Sequence, residues 1–232
     1  MPSAQHVKID EPLAQPAGGV HSLLGEVHAL NVRNLDSLHS RGSVLFAEGE
    51  PARGVYILRT GRASVAISSS EGRVAILRLV QSGDVLGLNA VLRNSTYEVT
   101  VKILAASRVN FISRTELMEL MENSDTAALA VIKLLSRELE QLTDRARSLL
   151  LPQTARARLA QLLLQLSKEG PEGRSRAIDK VFTHEEVAQM ICTSRETVSR
   201  LLASLGRRGI IRITSDSILI RDRADLEEIA RE

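Results

Sequence analysis

The stretch CTSRETVSRLLASLGRRGI, residues 192–210, places two kinds of surface on one helix. Val198, Leu201, Leu202 and Leu205 fall at i, i+3, i+4 and i+7, the spacing that buries one stripe of an α-helix. Arg195, Glu196, Ser199 and Arg200 lie on the other side, close to the helix start. A merely solvated face tolerates Lys, Gln or Ala at such positions. Two arginines around a glutamate and a serine form a surface suited to reading another molecule, and the rest of the chain must say which.

The chain has 232 residues, enough for one or two domains with a proper core. Its net charge is +2 with 25% charged residues, so no global basic excess points to nucleic acid. The excess is local: between residues 195 and 212, Arg195, Arg200, Arg207, Arg208 and Arg212 stand against Glu196 alone. A single cysteine, Cys192, rules out a disulfide framework or a four-cysteine iron–sulfur cluster within one chain and fits a reducing compartment. No apolar run approaches the ~20 residues of a membrane span. Residues 1–21 lack the apolar core of a signal peptide and read as a flexible arm. A cytoplasmic chain with no membrane partner is the expectation. His6, His21, His28, His39 and His184 show no metal-ligand spacing with one another or with Cys192, so no metal is expected.

Residues 22–124 read as a β-roll. Within 42–112, runs rich in Val and Ile end or pivot at Gly49 and Gly61 and turn at Gly83, and two more short runs follow Tyr97, a pattern of short strands in a barrel or double-sheet roll. Ala63, Val65 and Ile67 alternate as a half-buried strand requires. Helix begins near Arg114, breaks between Asn123 and Asp125, and resumes over residues 125–151. There Ala128, Ile132, Leu135, Leu139, Leu142, Ala146 and Leu149 recur in steps of four and three. That 3.5-residue period predicts a two-stranded coiled-coil seam. A helix packed on its own domain is the alternative; Lys133, Arg137, Glu140, Asp144 and Arg147 outside the narrow stripe favour pairing. Pro152 stops or kinks this helix and marks a boundary.

Residues 152–232 follow a different pattern. TARARLAQLLLQLSKEG reads as a helix closed by Gly170. Thr183 and Glu186 make a capping box at the start of THEEVAQMI. A turn at Cys192 and Thr193 leads into the reading helix, with Thr193 or Ser194 as its cap. After Gly209, IIRIT, a turn at Ser215 and Asp216, and SILIR make a short hairpin. Helix, turn, helix and two-stranded wing is the layout of a winged helix-turn-helix. The fold class expected is α+β: an N-terminal β-roll, a long dimerisation helix and a C-terminal winged helix-turn-helix.

THEEVAQMICTSRETVSRLLASLGRRGII, and SRETVSR above all, resembles the DNA-binding segment of the CRP/FNR transcription regulators, the family of the cyclic-AMP receptor protein. Gly42, Phe46, Gly49, Tyr56, Gly61, Gly83 and Gly87 match the family's cyclic-nucleotide-binding-type roll, and the long helix matches its dimerisation helix. The resemblance implies a homodimer on an inverted repeat of double-stranded DNA, with RNA polymerase as a further partner. It places Arg195, Glu196 and Arg200 where the second helix enters the major groove, and Ser199 in a slot that some relatives use as an additional base contact. The chemistry agrees. An arginine fork suits guanine O6 and N7, and a glutamate accepts from cytosine N4. Glu196 has a second role open to it, holding the arginines through ion pairs. Thr193, Ser194 and Thr197 suit phosphate, which fixes register without reading sequence. Arg207, Arg208 and Arg212 lie outside the reading face and add counterion-release affinity.

Two features depart from the family pattern. Its cyclic-AMP binders carry Gly-Glu at the start of a short phosphate-binding helix and Arg-Ser several residues later. Here the first pair is Gly87–Leu88, and the second falls at Tyr97–Glu98 or Glu98–Val99. Leu88 accepts no hydrogen bond and Glu98 repels an anion; Arg93 is either a ligand for some other acid or an exposed loop residue. The expectation is a roll kept as scaffold, with no cofactor, no response to cyclic AMP and an unidentified effector. Cys192 stands where relatives usually have a glycine at positive φ; structural tolerance and a redox role are its two readings. No nucleophile–base pair, paired-acid cleft or phosphate loop supports an enzyme. Two tyrosines, three phenylalanines and no tryptophan offer few stacking platforms for single strands. The alternative to a DNA-binding regulator is a small-molecule sensor whose helix-turn-helix makes protein contacts, and the arginine cluster argues against it.

Overall fold

Two long strands organise the N-terminal half: β3 (Gly54–Ser68) and β6 (Thr100–Ser113) pair antiparallel along most of their length. Around them lie β1 (Leu35–His39), β2 (Val44–Phe46), β4 (Val74–Val80) and β5 (Val85–Leu86). β1 and β2 bond to β6, and β4 and β5 bond to β3. The computed structural model describes residues 35–150, 154–167, 177–179, 182–215 and 217–232. The expected N-terminal arm, Pro152, Gly170 and Asp216 lie outside the described residues.

The glycine punctuation predicts short strands, and here the structure differs. Of its two readings, end or pivot, Gly61 takes the pivot: it lies inside one long strand, β3, at φ 99°, and the register against β6 shifts on both sides of it. A bulge bends a strand without ending its ladder. A Cβ at Gly61 would collide with Ser107 Oγ and come within 2.6 Å of the Ala106 carbonyl, so the close approach of β6 demands glycine. The two runs expected after Tyr97 are likewise one strand, β6. Ala63 and Val65 bury in the roll core as the alternation requires, whereas Ile67 is exposed. Ala66 buries in a different cluster, the one shared with the C-terminal segment, and the residue left over at the nearby register shift is Leu77 of β4.

After β5 comes a short helix, α1 (Leu88–Leu92). From the end of β6 the chain passes directly into α2 (Arg114–Asn123) through a capping box. Ser113 Oγ accepts from the Glu116 amide at 3.2 Å, and Glu116 Oε2 accepts from the Ser113 amide at 2.8 Å. Ser124 forms the anticipated break, and α3 (Asp125–Leu150) follows. Its Ala127, Ala130 and Val131 bury against the roll. Its other side is bare: Ile132, Leu139 and Leu142 are 57%, 66% and 45% exposed. Of the remaining seam positions, Ala146 is exposed and Ala128 half-buried, while Leu135 packs on the roll core. The Leu149 side chain lies outside what is described.

The C-terminal segment comprises α4 (Ala155–Leu166), β7 (Ala177–Asp179), α5 (His184–Met190), α6 (Arg195–Arg207), β8 (Ile211–Ile213), β9 (Ser217–Ile220) and α7 (Arg223–Ile229). Three details correct the sequence reading. α4 ends at Leu166 with Ser167 as C-cap, short of Gly170. The wing has three strands in the order β7-β9-β8, because β7 pairs along β9. α7 was not expected; Asp222 caps it, accepting from the Asp225 amide at 3.0 Å, and its Leu226 and Ile229 bury in the core shared with α4.

The two halves share packing. Ala66 of β3 and Ile76 of β4 belong to the same buried cluster as Leu159, Ala188 and Met190, so α5 docks on β4. Arg41 Nη2 adds an ion pair to Glu186 at 3.2 Å. Among the described residues no helix is long and apolar enough to cross a membrane.

The bulge generates a stability test. Gly61→Ala is expected to destabilise the protein by more than the roughly 1–3 kcal/mol of backbone strain alone, since its methyl meets β6. Gly72→Ala, at φ 77° with open space around its Cβ, should show the strain term only. Urea denaturation of both variants checks this; a loss at Gly61 no larger than that at Gly72 would contradict it.

Candidate nucleic-acid interface

Three local devices set the helix-turn-helix. Thr183 Oγ1 accepts from the Glu186 amide (3.1 Å) and Glu186 Oε2 accepts from the Thr183 amide (2.7 Å), the box that the sequence predicts at the start of α5. The turn that follows holds Cys192 at φ 49°, exposed, the positive-φ position expected from the family's glycine. Arg158 Nε donates to the Ile191 carbonyl at 2.9 Å, satisfying an acceptor that α5 leaves open at its end. Ser194, rather than Thr193, caps α6: its Oγ accepts from the Thr197 amide at 3.2 Å.

The apolar stripe of α6 does what its spacing requires. Val198, Leu202 and Leu205 are buried with Ala188, Met190 and Ile191, and Leu201 packs at their margin. Arg195, Glu196 and Arg200 are consequently turned to solvent on the opposite face. Arg200 Nη2 donates to Thr197 Oγ1 at 3.4 Å, and Ser194 Oγ donates to the same oxygen at 3.1 Å. The Glu196 carboxyl is held below the usual carboxylate range, first by its own backbone amide, then by the Ser194 hydroxyl, with Arg195 a lesser contribution. It is therefore an ionised acceptor. Thr193 is half-buried in the turn, and Arg207, Arg208 and Arg212 are exposed beyond the reading face.

Ser199 sits differently. Its Oγ is 2.8 Å from His184 Nδ1, a half-buried contact between α5 and α6. Sequence reading missed this pairing because the two residues belong to different helices, and neither helix's periodicity says how they cross.

The second candidate site is the nucleotide cassette. Gly87 adopts φ 80° at the start of α1, and a Cβ there would lie 2.7 Å from Tyr97 Cε1. Leu88 is buried. The Tyr97 ring stacks on Phe46 with centroids 3.9 Å apart, and its hydroxyl donates to the Gly54 carbonyl at 2.6 Å. Burial pushes that phenol up to about 12, so it stays a neutral donor. Glu98 accepts from Asn89 Nδ2 and from Arg93 Nη1, each at 2.7 Å. Arg93, read as a ligand for some other acid or an exposed loop residue, is paired with Glu98 on the surface. Among the described residues no cluster of three or more His, Cys, Asp or Glu side chains is placed to hold a metal ion.

A cyclic-nucleotide-type roll joined through a long helix to a winged helix-turn-helix defines a two-module DNA-binding regulator. Residues 39–124 match the cyclic nucleotide-binding domain and residues 157–229 the Crp-like helix-turn-helix domain. The chain is 31% identical to the transcriptional regulator LdrP of Thermus thermophilus, over 82% of this chain and 94% of that protein. It is 28% identical to the CRP-like cAMP-activated global transcriptional regulator of Mycobacterium tuberculosis, over 82% and 86% of the two chains. Among solved structures it resembles a CRP-family transcriptional regulator of Thermus thermophilus, with TM-score 0.71 and 27% identity over 84% of this chain and 97% of that one. It shares the fold of FixK2 from Bradyrhizobium japonicum, with TM-score 0.74 and 22% identity over 85% and 98%. The chain belongs to the CRP/FNR family of transcription regulators.

Proposed function

We propose that this regulator acts as a homodimer on an inverted repeat of double-stranded DNA, and that cyclic AMP does not control it. The observation that carries the DNA-reading part is the exposed triplet Arg195, Glu196 and Arg200 on a helix whose opposite face is buried. Arginine forks address guanine and the ionised Glu196 addresses a cytosine amino group. Thr193, Ser194 and Thr197, at the helix start, are suited to phosphate. RNA polymerase is the further partner implied by family resemblance.

Pairing rests on α3. Ile132, Leu139 and Leu142 stand out of water only if another apolar surface covers them, and their spacing fits a second copy of the same helix. Independence from cyclic AMP rests on the cassette. Leu88 offers no acceptor to a ribose hydroxyl, and Glu98 presents a carboxylate where a cyclic phosphate needs a cation. Each lost hydrogen bond to a charged group costs roughly 1.5–3 kcal/mol, and each 1.4 kcal/mol is about tenfold in affinity. Two such losses move a micromolar site towards millimolar.

Three measurements test this. Arg195→Ala and Arg200→Ala should each cost on the order of 1–3 kcal/mol on the operator and relax preference at one base pair per half-site. Arg208→Ala should instead weaken all duplexes alike; equal losses on operator and random DNA for the two reading arginines would sink the assignment. Leu139→Asp and Leu142→Asp should sediment as monomers with weakened operator binding, because a buried carboxylate would face its own copy. These two positions are chosen over Leu135, which also supports the roll; an intact dimer in both variants places the interface elsewhere. Calorimetry should find no micromolar binding of cyclic AMP or cyclic GMP. Binding of either that also tightens operator affinity would overturn that part of the reading.

A further inference from the structure

The face of α6 that meets DNA in the proposed function contains one polar side chain already engaged inside the protein. Ser199 lies one helical turn after Arg195, on the same line of the helix, so its position alone suits a base contact. Its hydroxyl, however, is 2.8 Å from Nδ1 of His184, the first residue of α5. Both side chains are half-buried between the two helices. A serine hydroxyl reaching for a base edge would have to leave His184, and Nδ1 would lose its partner away from bulk water.

We infer that Ser199 does not read a base: it is the anchor by which His184, a positioning residue, fixes the reading helix relative to α5. The inference rests on the DNA-reading role proposed above and narrows it, leaving Arg195, Glu196 and Arg200 as the base-reading set. Ala188 and Met190 of α5 and Val198 and Leu202 of α6 also share one apolar cluster, and apolar packing is non-directional. A directional side-chain bond across the helix pair fixes rotation of α6 about its axis, and that rotation decides where the arginine forks point. The imidazole can serve with either tautomer, since serine both donates and accepts.

The test uses the full chain and an operator selected by it from a pool of random duplexes. Affinity is then measured for every single-base-pair variant of one half-site and for random duplex. The proteins are the unmutated chain and Ser199→Ala, His184→Ala, the double variant, His184→Asn and Arg195→Ala. Expected are operator losses of about tenfold for Ser199→Ala and for His184→Ala, the equivalent of one hydrogen bond. The double variant should lose no more than either single one, as coupled partners do. Random-duplex affinity should be unchanged in all three, and the order of preference at every base pair should be kept. His184→Asn, whose amide can stand near the Nδ1 position, should recover most of the loss. Arg195→Ala should flatten one position and so proves that the assay resolves readout. Ser199→Ala flattening one base pair while His184→Ala leaves it intact would overturn the inference and make Ser199 a reader. No operator loss in either single variant would overturn the positioning role. Failure of the unmutated chain to enrich any inverted repeat is a separate result, which removes the DNA-reading proposal itself and this inference with it.

Discussion

The ladder between β3 and β6 is the constraint on which the rest of the molecule depends, since every other strand of the roll is hydrogen-bonded to one of the two. Both functional modules hang from its ends. β6 runs without a loop into the Ser113 capping box and so sets the direction in which α2 and then α3 leave the roll. β3 carries β4, and β4 delivers Ile76 to the core beneath α5. A one-residue slip between β3 and β6 would turn every side chain of one strand to the other face. It would therefore disturb the footing of the long helix and the seat of the DNA-reading module together. The bulges around Gly61 add to this dependence, for they hold the two strands in the one register that lets Ser107 approach the backbone of β3.

At the reading helix, burial and charge are arranged by separate means. The stripe of Val198, Leu202 and Leu205 fixes which side faces in, and would do so whatever lay opposite. The polarity of the exposed side is set at the helix start. There the unpaired amides and the macrodipole favour negative groups, which suits Glu196 within the protein and phosphate from outside. Because the Glu196 carboxyl is held below its usual range, it would meet a base, as proposed above, only as an acceptor. Arg195 and Arg200 would meet one only as donors. In the proposed function, a face divided this way would discriminate by the sense of each hydrogen bond, independently of the total charge that attracts DNA.

What could be read from the sequence was what depends on neighbours along the chain. The Thr183–Glu186 box, the break at Ser124 and the buried stripe of α6 are local in cause, and each stands where its residues place it, whereas the positive φ at Cys192 was implied by the family's usual glycine. The longer-range features were not legible. Whether Gly61 ends a strand or bends it depends on Ser107 across the ladder. β7 is three residues long, too short for any period to register, and exists because β9 offers it an edge. Gly170 looked like the stop of α4, yet the helix finishes at Leu166, with the Ser167 amide bonding back to the Leu163 carbonyl. The candidate site divides in the same way. The exposed placement of Arg195, Glu196 and Arg200 followed from helical spacing, whereas the engagement of Ser199 by His184 depends on how two helices cross.

The same division bears on the roll. Its likeness to nucleotide-binding domains is carried largely by glycines and aromatics, residue types that serve backbone geometry and packing whether or not a ligand is present. Gly87 shows how. Its positive φ begins α1, and its missing Cβ is the space against which the Tyr97 ring lies. That ring, with Phe46, Tyr56 and Phe111, gathers four of the chain's five aromatic residues into one cluster in the roll. Tyr97 thus holds its place through Phe46 and the Gly54 carbonyl, and the neighbouring Glu98 closes on Asn89 and Arg93. Selection for a stable roll would keep Gly87 in such a site even with no nucleotide to bind. The family's scaffold can therefore persist here on packing alone, and the chemistry of the cassette has to be judged from its polar atoms.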